Sequence, residues 1–403
     1  MAQTQSQART DAALRCEVVA LVADRETQGF MASYLAEAVV GGVHLEIGGV
    51  AQAAAYLENA ETPPRLLIID LSGMETPLSQ VDRLAEVCDP GVVVIALGET
   101  ENVHLFRELL RSGVSDYITK PLSPDLLDAY VRDRRIAIAP EEGPARRGRV
   151  IAVTGGRGGV GATTLAVATA WRLANVRKRR VALVDLDLHG GAACVQLGLQ
   201  AGGLLDALDN HARLDSLFLE RTLIRHGPRL SVLAEEASLK RDIALNPVAL
   251  DALLDALAEE FHYVVVDLPR SFGAAHAHVF GKARTRVIVL DRTLPALRDG
   301  ARLLELTRET QGGSVVVIND HHPGLKKIIT GAVIEKALGR RADIEIDYDK
   351  GAAQQGDNLG EPLGQRGGPM ARAADDLVAA LSGRRAAPAP GVRRLFGLLG
   401  ARR

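Results

Sequence analysis

The residues best suited to chemistry lie in one glycine-rich run, Gly155-Gly156-Arg157-Gly158-Gly159-Val160-Gly161-Ala162-Thr163-Thr164. An apolar stretch of strand length, residues 150–153, leads into it, and an Ala- and Leu-rich helical pattern over residues 165–173 follows. Strand, glycine loop and helix in that order build a phosphate-binding loop. Glycines let the backbone approach an anion, and the free N–H groups of the helix start point at it. The spacing G-x-x-x-x-G-K-[ST] is met from Gly156 to Thr163, except that Ala162 stands in the lysine place. Two later apolar runs end in acids. Residues 181–184 lead to Asp185-Leu186-Asp187, whose two carboxylates alternate onto one side of an extended chain, and residues 263–266 lead to Asp267-Leu268-Pro269. Strand-end aspartates often only cap loops. Close behind a phosphate loop, that reading is the weaker one.

Positioning such a loop requires a parallel sheet, and the length allows two. At 403 residues, 47% hydrophobic and 24% charged, the chain suits two soluble, core-forming domains. A formal net charge of −2 argues against a general nucleic-acid-binding surface. Cys16, Cys88 and Cys194 lie too far apart to suggest a disulfide framework or a zinc site. The N-terminus lacks the pattern of a signal peptide and no apolar run reaches a membrane span, so the expected location is cytoplasmic.

The expected organisation is a disordered stretch over 1–15, a first domain over 16–139, a Pro-, Gly- and charge-rich linker over 140–149, a second domain over 150–383 and a basic tail over 384–403. In the first domain, strand-like runs at 18–23, 43–47, 66–70, 92–97 and 116–119 alternate with helical ones such as 29–39 and 102–111. In the second, apolar strands recur at 150–153, 181–184 and 263–266, at 287–291 ending in Asp291, at 315–319 ending in Asn319, and at 342–346, with a helix over 324–338. Both patterns predict an α/β fold with a doubly wound parallel sheet.

The run from Arg157 to Thr164 resembles the deviant Walker A loop of MinD/ParA ATPases, in a version without the loop lysine. Together with the receiver-like first domain and Leu294-Pro295-Ala296-Leu297-Arg298, it resembles the TadZ/CpaE branch, which places and helps assemble Flp-type pili. The resemblance implies ATP and Mg²⁺ as ligands. Gly156, Arg157, Gly158, Gly159, Val160, Gly161, Ala162, Thr163 and Thr164 would cradle the phosphates, and Asn319 would read the adenine. Thr163, Asp185 and Asp267 would serve the metal, partly through water, and Asp187 would orient the attacking water. Arg157 stands where relatives carry a second lysine that reaches across a sandwich dimer, so it implies an ATP-dependent homodimer and a catalytic contribution in trans. Without the loop lysine, binding survives on backbone N–H groups, while hydrolysis is slow or nearly absent. Arg270 departs from the smaller residues usual after the Asp-x-Pro and is available to a partner. His321-His322 has no third ligand at helical or hairpin spacing and reads as a solvated loop.

The first domain resembles a response-regulator receiver (flavodoxin-like), with Asp70 in the phospho-acceptor place and Lys120-Pro121 after the fifth strand. Its acid pair is thinned to Ala23 and Asp24, and Gly98 replaces the Thr or Ser that reads the phosphate. This predicts a pseudo-receiver, an interaction module in which the receiver-like residues Asp24, Asp70 and Lys120 do not serve phosphorylation and Asp70 is a strand-end carboxylate that caps a loop. The tail places Val392, Leu395, Phe396 and Leu399 on one helical face among six arginines. It resembles the membrane-targeting helix of MinD and implies an anionic inner-membrane surface as partner. The combined reading is a switch, at most a weak ATPase, peripheral to the inner membrane at a pole and joined to pilus assembly components. Its alternatives are a ParA-like partitioning ATPase and a phosphorylation-controlled regulator with an ATPase output.

Overall fold

A computed structural model describes residues 16–131 and 147–381, apart from 40–41, 61–62, 91, 271–272, 309, 321–323 and 350–359. The first sheet uses β1 (Cys16–Val22), β2 (Gly42–Ile47), β3 (Leu66–Asp70), β4 (Val93–Gly98) and β5 (Asp116–Thr119). Between them run α1 (Arg25–Ala38), α2 (Val50–Asn59), α3 (Pro77–Val87) and α4 (Val103–Arg111), and α5 (Pro124–Val131) follows. The strand order β2-β1-β3-β4-β5, all parallel, is the doubly wound order with one switch point beside the first strand. Strands such as Leu66-Leu67-Ile68-Ile69 are apolar on both sides because helices cover both faces. Helix α1 begins at Arg25, earlier than the apolar pattern suggests, because Asp24 caps it by accepting from Thr27 N at 2.7 Å.

The second sheet is built from β6 (Arg149–Gly155), β7 (Val181–Asp185), β8 (Ile224–Arg225), β9 (Leu230–Leu233), β10 (Tyr263–Leu268), β11 (Thr285–Leu290), β12 (Gly313–Asn319) and β13 (Ile344–Ile346). Its helices are α6 (Ala162–Asn175), the short α7 (Ala193–Gln196), α8 (Leu204–Asp209) and α9 (Ser216–Thr222), then α10 (Pro247–Glu260), α11 (Ala274–Lys282), α12 (Leu294–Leu306), α13 (Gly331–Leu338) and α14 (Pro369–Leu381). The order is β13-β12-β11-β6-β10-β7-β9-β8, parallel except for the β8–β9 pair. One face packs on α10, α11 and α12 and the other on α6 and α14, giving two continuous apolar layers. Fold class therefore agrees with the sequence: two doubly wound α/β sheets.

Three further elements differ from expectation. The β8–β9 hairpin was not anticipated, since β8 has only two residues and too little apolar pattern to register. Helix α13 starts at Gly331 rather than 324, because a 3-10 turn at Leu325–Lys327 and a loop precede it. The last strand begins at Ile344, two residues late. The stretch 1–15, most of the linker, His321-His322 and the tail 384–403 lie outside the described residues.

Candidate nucleotide site

Strand β6 is central, with β10 and β11 as its neighbours, and β7 lies beyond β10. The register sets Asp267 beside Val153 on one side and beside Asp185 on the other. The loop after β6 therefore shares one sheet edge with Asp185 and Asp267, outside the carboxyl ends of the strands where such folds bind ligands. The sequence-predicted residues are gathered there by topology alone.

The loop's glycines answer to specific needs. Gly159 (φ 76°) and Gly161 (φ 88°) are left-handed, a region that disfavours side chains. A Cβ on Gly161 would stand 2.7 Å from Asn319 Nδ2, and a Cβ on Gly155 would stand 2.7 Å from Val160 Cγ2. Gly161 ends the loop, and α6 starts at Ala162, so Ala162, Thr163 and Thr164 occupy the first turn with its open N–H groups. Asn319, at the end of β12, donates from Nδ2 to Val160 O at 2.9 Å and so braces the loop. Gln196, which the sequence gave no reason to single out, donates from Nε2 to Thr164 Oγ1 at 3.2 Å.

Thr163 donates its hydroxyl to the Asp267 carboxylate, joining the two groups expected to share a cation. Asp267 is 4% exposed and Asp185 is 1% exposed. Burial pushes both carboxyls well above the ordinary range, and the nearby Asp185 and Asp187 charges push Asp267 further. Asp185 also organises the following turn, accepting from Asp187 N at 3.0 Å and Ala193 N at 3.2 Å. Asp187 accepts at Oδ1 from Gly190 N at 2.9 Å and His189 N at 3.3 Å. In both aspartates the loop-capping role is met by these backbone bonds.

A divalent cation fits this donor set. Facing carboxylates that resist ionisation when empty become favourable once a positive ion sits between them, and the Thr163 hydroxyl adds a neutral oxygen. Among the described residues no cluster of three or more His, Cys, Asp or Glu could hold a metal unaided. A cation here would need phosphate and water oxygens to complete its shell, as Mg²⁺ usually does.

Arg157 does not point into open space. Its Nε donates to Asp291 Oδ2 at 2.7 Å, Nη2 donates to the same oxygen, and Nη1 donates to Gly158 O at 3.0 Å. Asp291, 1% exposed at the end of β11, also accepts from Thr293 Oγ1 at 2.6 Å. The sequence marked Asp291 only as a strand end. That β11 lies against β6 is the signal that could have exposed it as the arginine's partner.

In the first sheet, Lys120 Nζ lies 2.6 Å from Asp70 Oδ2 and 2.8 Å from Asp24 Oδ2. Burial raises the Asp70 carboxyl, but bonds from Lys120, Ser72 and Ala23 more than offset this and hold it below its usual value. Lys120 also holds Asp24 low. Gly98 gains a positive explanation: a Cβ there would stand 2.2 Å from the Tyr117 hydroxyl, which donates to Thr100 O at 3.0 Å. The ring fills the space beside Gly98.

A family model described as "ParA: NUBPL iron-transfer P-loop NTPase" matches residues 146–320. The domain built on the second sheet is similar to the P-loop NTPase domains of MinD and ParA proteins. The septum site-determining protein MinD of Synechocystis is 28% identical over 220 residues, covering 53% of this chain and 81% of the relative. MinD of Bacillus subtilis is 26% identical over 41% of this chain, but the match spans only 61% of that protein. Among solved structures, a ParA family ATPase from Chlorobium tepidum superposes with a TM-score of 0.53 at 23% identity, covering 58% of this chain and 98% of its own. The cell division ATPase MinD of Pyrococcus furiosus gives 0.50 at 20%, covering 58% and 99%. At such identities these structures speak for the fold.

Proposed function

We propose that this protein is an ATP-binding, dimerising switch that hydrolyses slowly or hardly at all and places a Flp/Tad-type pilus assembly machine at the inner membrane or pole. The observation that carries the proposal is the meeting of Thr163, Asp267 and Asp185 beside a glycine loop whose lysine place is Ala162. Mg²⁺ would be held by Thr163 and, through water, by Asp185 and Asp267. It would offset phosphate charge, and Asp187 would orient water. A MinD of Pyrococcus horikoshii, with a TM-score of 0.50 at 19% identity, is described as complexed with Mg-ADP, which supports the choice of ligand. The pilus role rests on the resemblance of the loop, the 294–298 run and the first domain to the TadZ/CpaE branch. The Lys120 trio and the Tyr117 ring beside Gly98 support a pseudo-receiver that serves as an interaction module. Sedimentation with and without Mg-ATP tests the core of the reading, because binding and dimerisation are read together. A protein that sediments identically in both conditions defeats it.

Arg157 must leave Asp291 before it can reach a partner subunit. That exchange costs a half-buried, charge-assisted pair and is repaid only if phosphate charge replaces the carboxylate. Arg157→Ala is therefore expected to keep much of the monomer's ATP affinity while losing the ATP-dependent dimer. An unchanged dimer by light scattering removes Arg157 from this role.

No described helix is long and apolar enough to cross a membrane. The proposed membrane contact is the tail, where each buried Leu or Phe contributes at most ~1.5–3 kcal/mol and each Arg near an anionic surface ~1 kcal/mol before ordering costs. One such segment binds marginally and two on a dimer bind by avidity. Mg-ATP should increase cosedimentation with anionic vesicles, and deletion of residues 391–403 should abolish it. Equal vesicle binding by the truncated protein would place the anchor elsewhere.

A further inference from the structure

We infer that Arg229 and His262 dock the first domain onto the base of the second by donating to the carbonyl ends of α2 and α3. Arg229, Arg180 and His262 each stand one residue before a strand, β9, β7 and β10 in turn. Those strands are neighbours in the order β10-β7-β9, so the three residues share the amino edge of the second sheet, opposite the nucleotide edge. Helices α2 and α3 cover one face of the first sheet, and each leads back to the amino end of the next strand. The last carbonyls of a helix have no partner within it. At the end of α2, Arg229 Nη2 donates to Glu58 O at 2.7 Å and to Ala60 O at 3.0 Å. At the end of α3, His262 Nε2 lies 3.3 Å from Val87 O. A carbonyl can only accept, so Nε2 carries the proton, and Nδ1 accepts from Arg180 N at 3.2 Å. Asp89, just beyond α3, brings Oδ1 to 3.1 Å from the same ring.

The dock is polar. Among the described residues, no apolar cluster crosses from one domain to the other; each sheet's layers are built from its own strands and helices. What joins the domains is a guanidinium and an imidazole at the negative ends of two helices, the favourable sense of the helix dipole. Such a contact fixes orientation, because the donors must meet particular carbonyls. It is also releasable, because no shared core has to be broken to open it. Meeting amino edge to amino edge leaves the carboxyl edges of both sheets uncovered by this contact. Asp24, Asp70 and Lys120 therefore stay clear of it at one end of the molecule, and the glycine loop stays clear at the other. On the switch reading, a dimer joined at the nucleotide edge would carry its two first domains at the far ends. The dock itself does not depend on that reading. No motif marks Arg229 or His262 in the chain, since their partners lie 171 and 175 positions away.

Small-angle X-ray scattering of the full chain, without nucleotide, reads the dock independently of ATP binding. The wild-type protein should scatter as one compact particle. Arg229→Met together with His262→Phe keeps side-chain bulk and removes both donors. That variant should lose the compact profile, with a larger radius of gyration and a distance distribution of two separate bodies. Arg229→Lys together with His262→Gln keeps a donor at each place and should restore most of the compact profile. A change on the other side of the contact guards against a folding defect in the second domain. Ala60→Arg sets a second cation opposite Arg229 at the end of α2, where a positive charge suits the helix itself. It should open the dock while circular dichroism stays that of the wild type. A wild-type protein that already scatters as two bodies overturns the inference. So does a compact profile in both Ala60→Arg and the variant lacking the two donors.

Discussion

Asp267→Asn should abolish Mg-ATP binding and, in the same protein, stabilise the empty fold at pH 8. The two effects share one cause. Asp267 is buried at the end of β10 beside Asp185, and burial with like charge raises its carboxyl far above the ordinary carboxylate range. The empty folded state therefore keeps a proton that the unfolded chain has already released. The unfolded state binds fewer protons across this window, so stability falls as pH rises from the ordinary carboxylate range through the raised folded value. The slope approaches ~1.4 kcal/mol per pH unit for each proton involved. Asparagine cannot ionise, so the variant escapes this loss and its advantage over wild type grows with pH. It also lacks the charge that would attract the cation, and Thr163→Ala, which removes the hydroxyl bonded to Asp267, should likewise lose binding. Melting temperatures of metal-free protein between pH 6 and 8.5, with calorimetry on Mg-ATP, check both halves. Tight binding by either variant, or an Asp267→Asn melting curve that declines with pH as steeply as wild type, would refute the account. Saturating Mg-ATP should flatten the wild-type decline, since the cation takes the proton's place.

Much of the fold and part of this site were legible because their determinants are consecutive in the chain. An apolar run, glycines and a helix start announce a phosphate loop within fifteen residues, Val150 to Thr164. Asp185 and Asp267 could be marked because each ends an apolar strand. What stayed hidden are contacts between distant segments that share no pattern. Arg157 reaches Asp291, 134 positions away, and Asn319 braces Val160, 159 positions away. Gly98 reads as the loss of a hydroxyl, and only packing reveals that the Tyr117 ring needs the space. The β8–β9 hairpin was missed because two residues carry no periodicity. Side-chain direction across a sheet depends on strand order, and a single sequence does not display that order.

Replacing Ala162 by lysine should raise affinity for ATP by roughly tenfold to a hundredfold, the equivalent of one charge-assisted hydrogen bond of ~1.5–3 kcal/mol. Ala162 begins α6 and packs partly against the apolar layer that contains Val160 and Leu165. A lysine stem can cover that same apolar surface while its ammonium extends to the phosphates. In the wild-type chain no cation occupies this place, and the nearest loop cation, Arg157, is bonded to Asp291. On the proposed reading, phosphate charge in the monomer would be met by backbone N–H groups and the helix dipole, without the side-chain cation whose absence costs transition-state stabilisation. Wild-type turnover should accordingly lie far below the ~10 s⁻¹ typical of enzymes. Because the lysine would touch the outer phosphates, Ala162→Lys should improve ATP and ADP binding and leave AMP nearly unchanged. Calorimetry with the three nucleotides and a phosphate-release assay measure these quantities. A wild-type rate near ~10 s⁻¹ would show that Ala162 does not make this loop a slow switch. Equal ATP affinity in the two proteins would show that another group already supplies the missing charge, and Arg157, released from Asp291, is the residue the geometry offers for it.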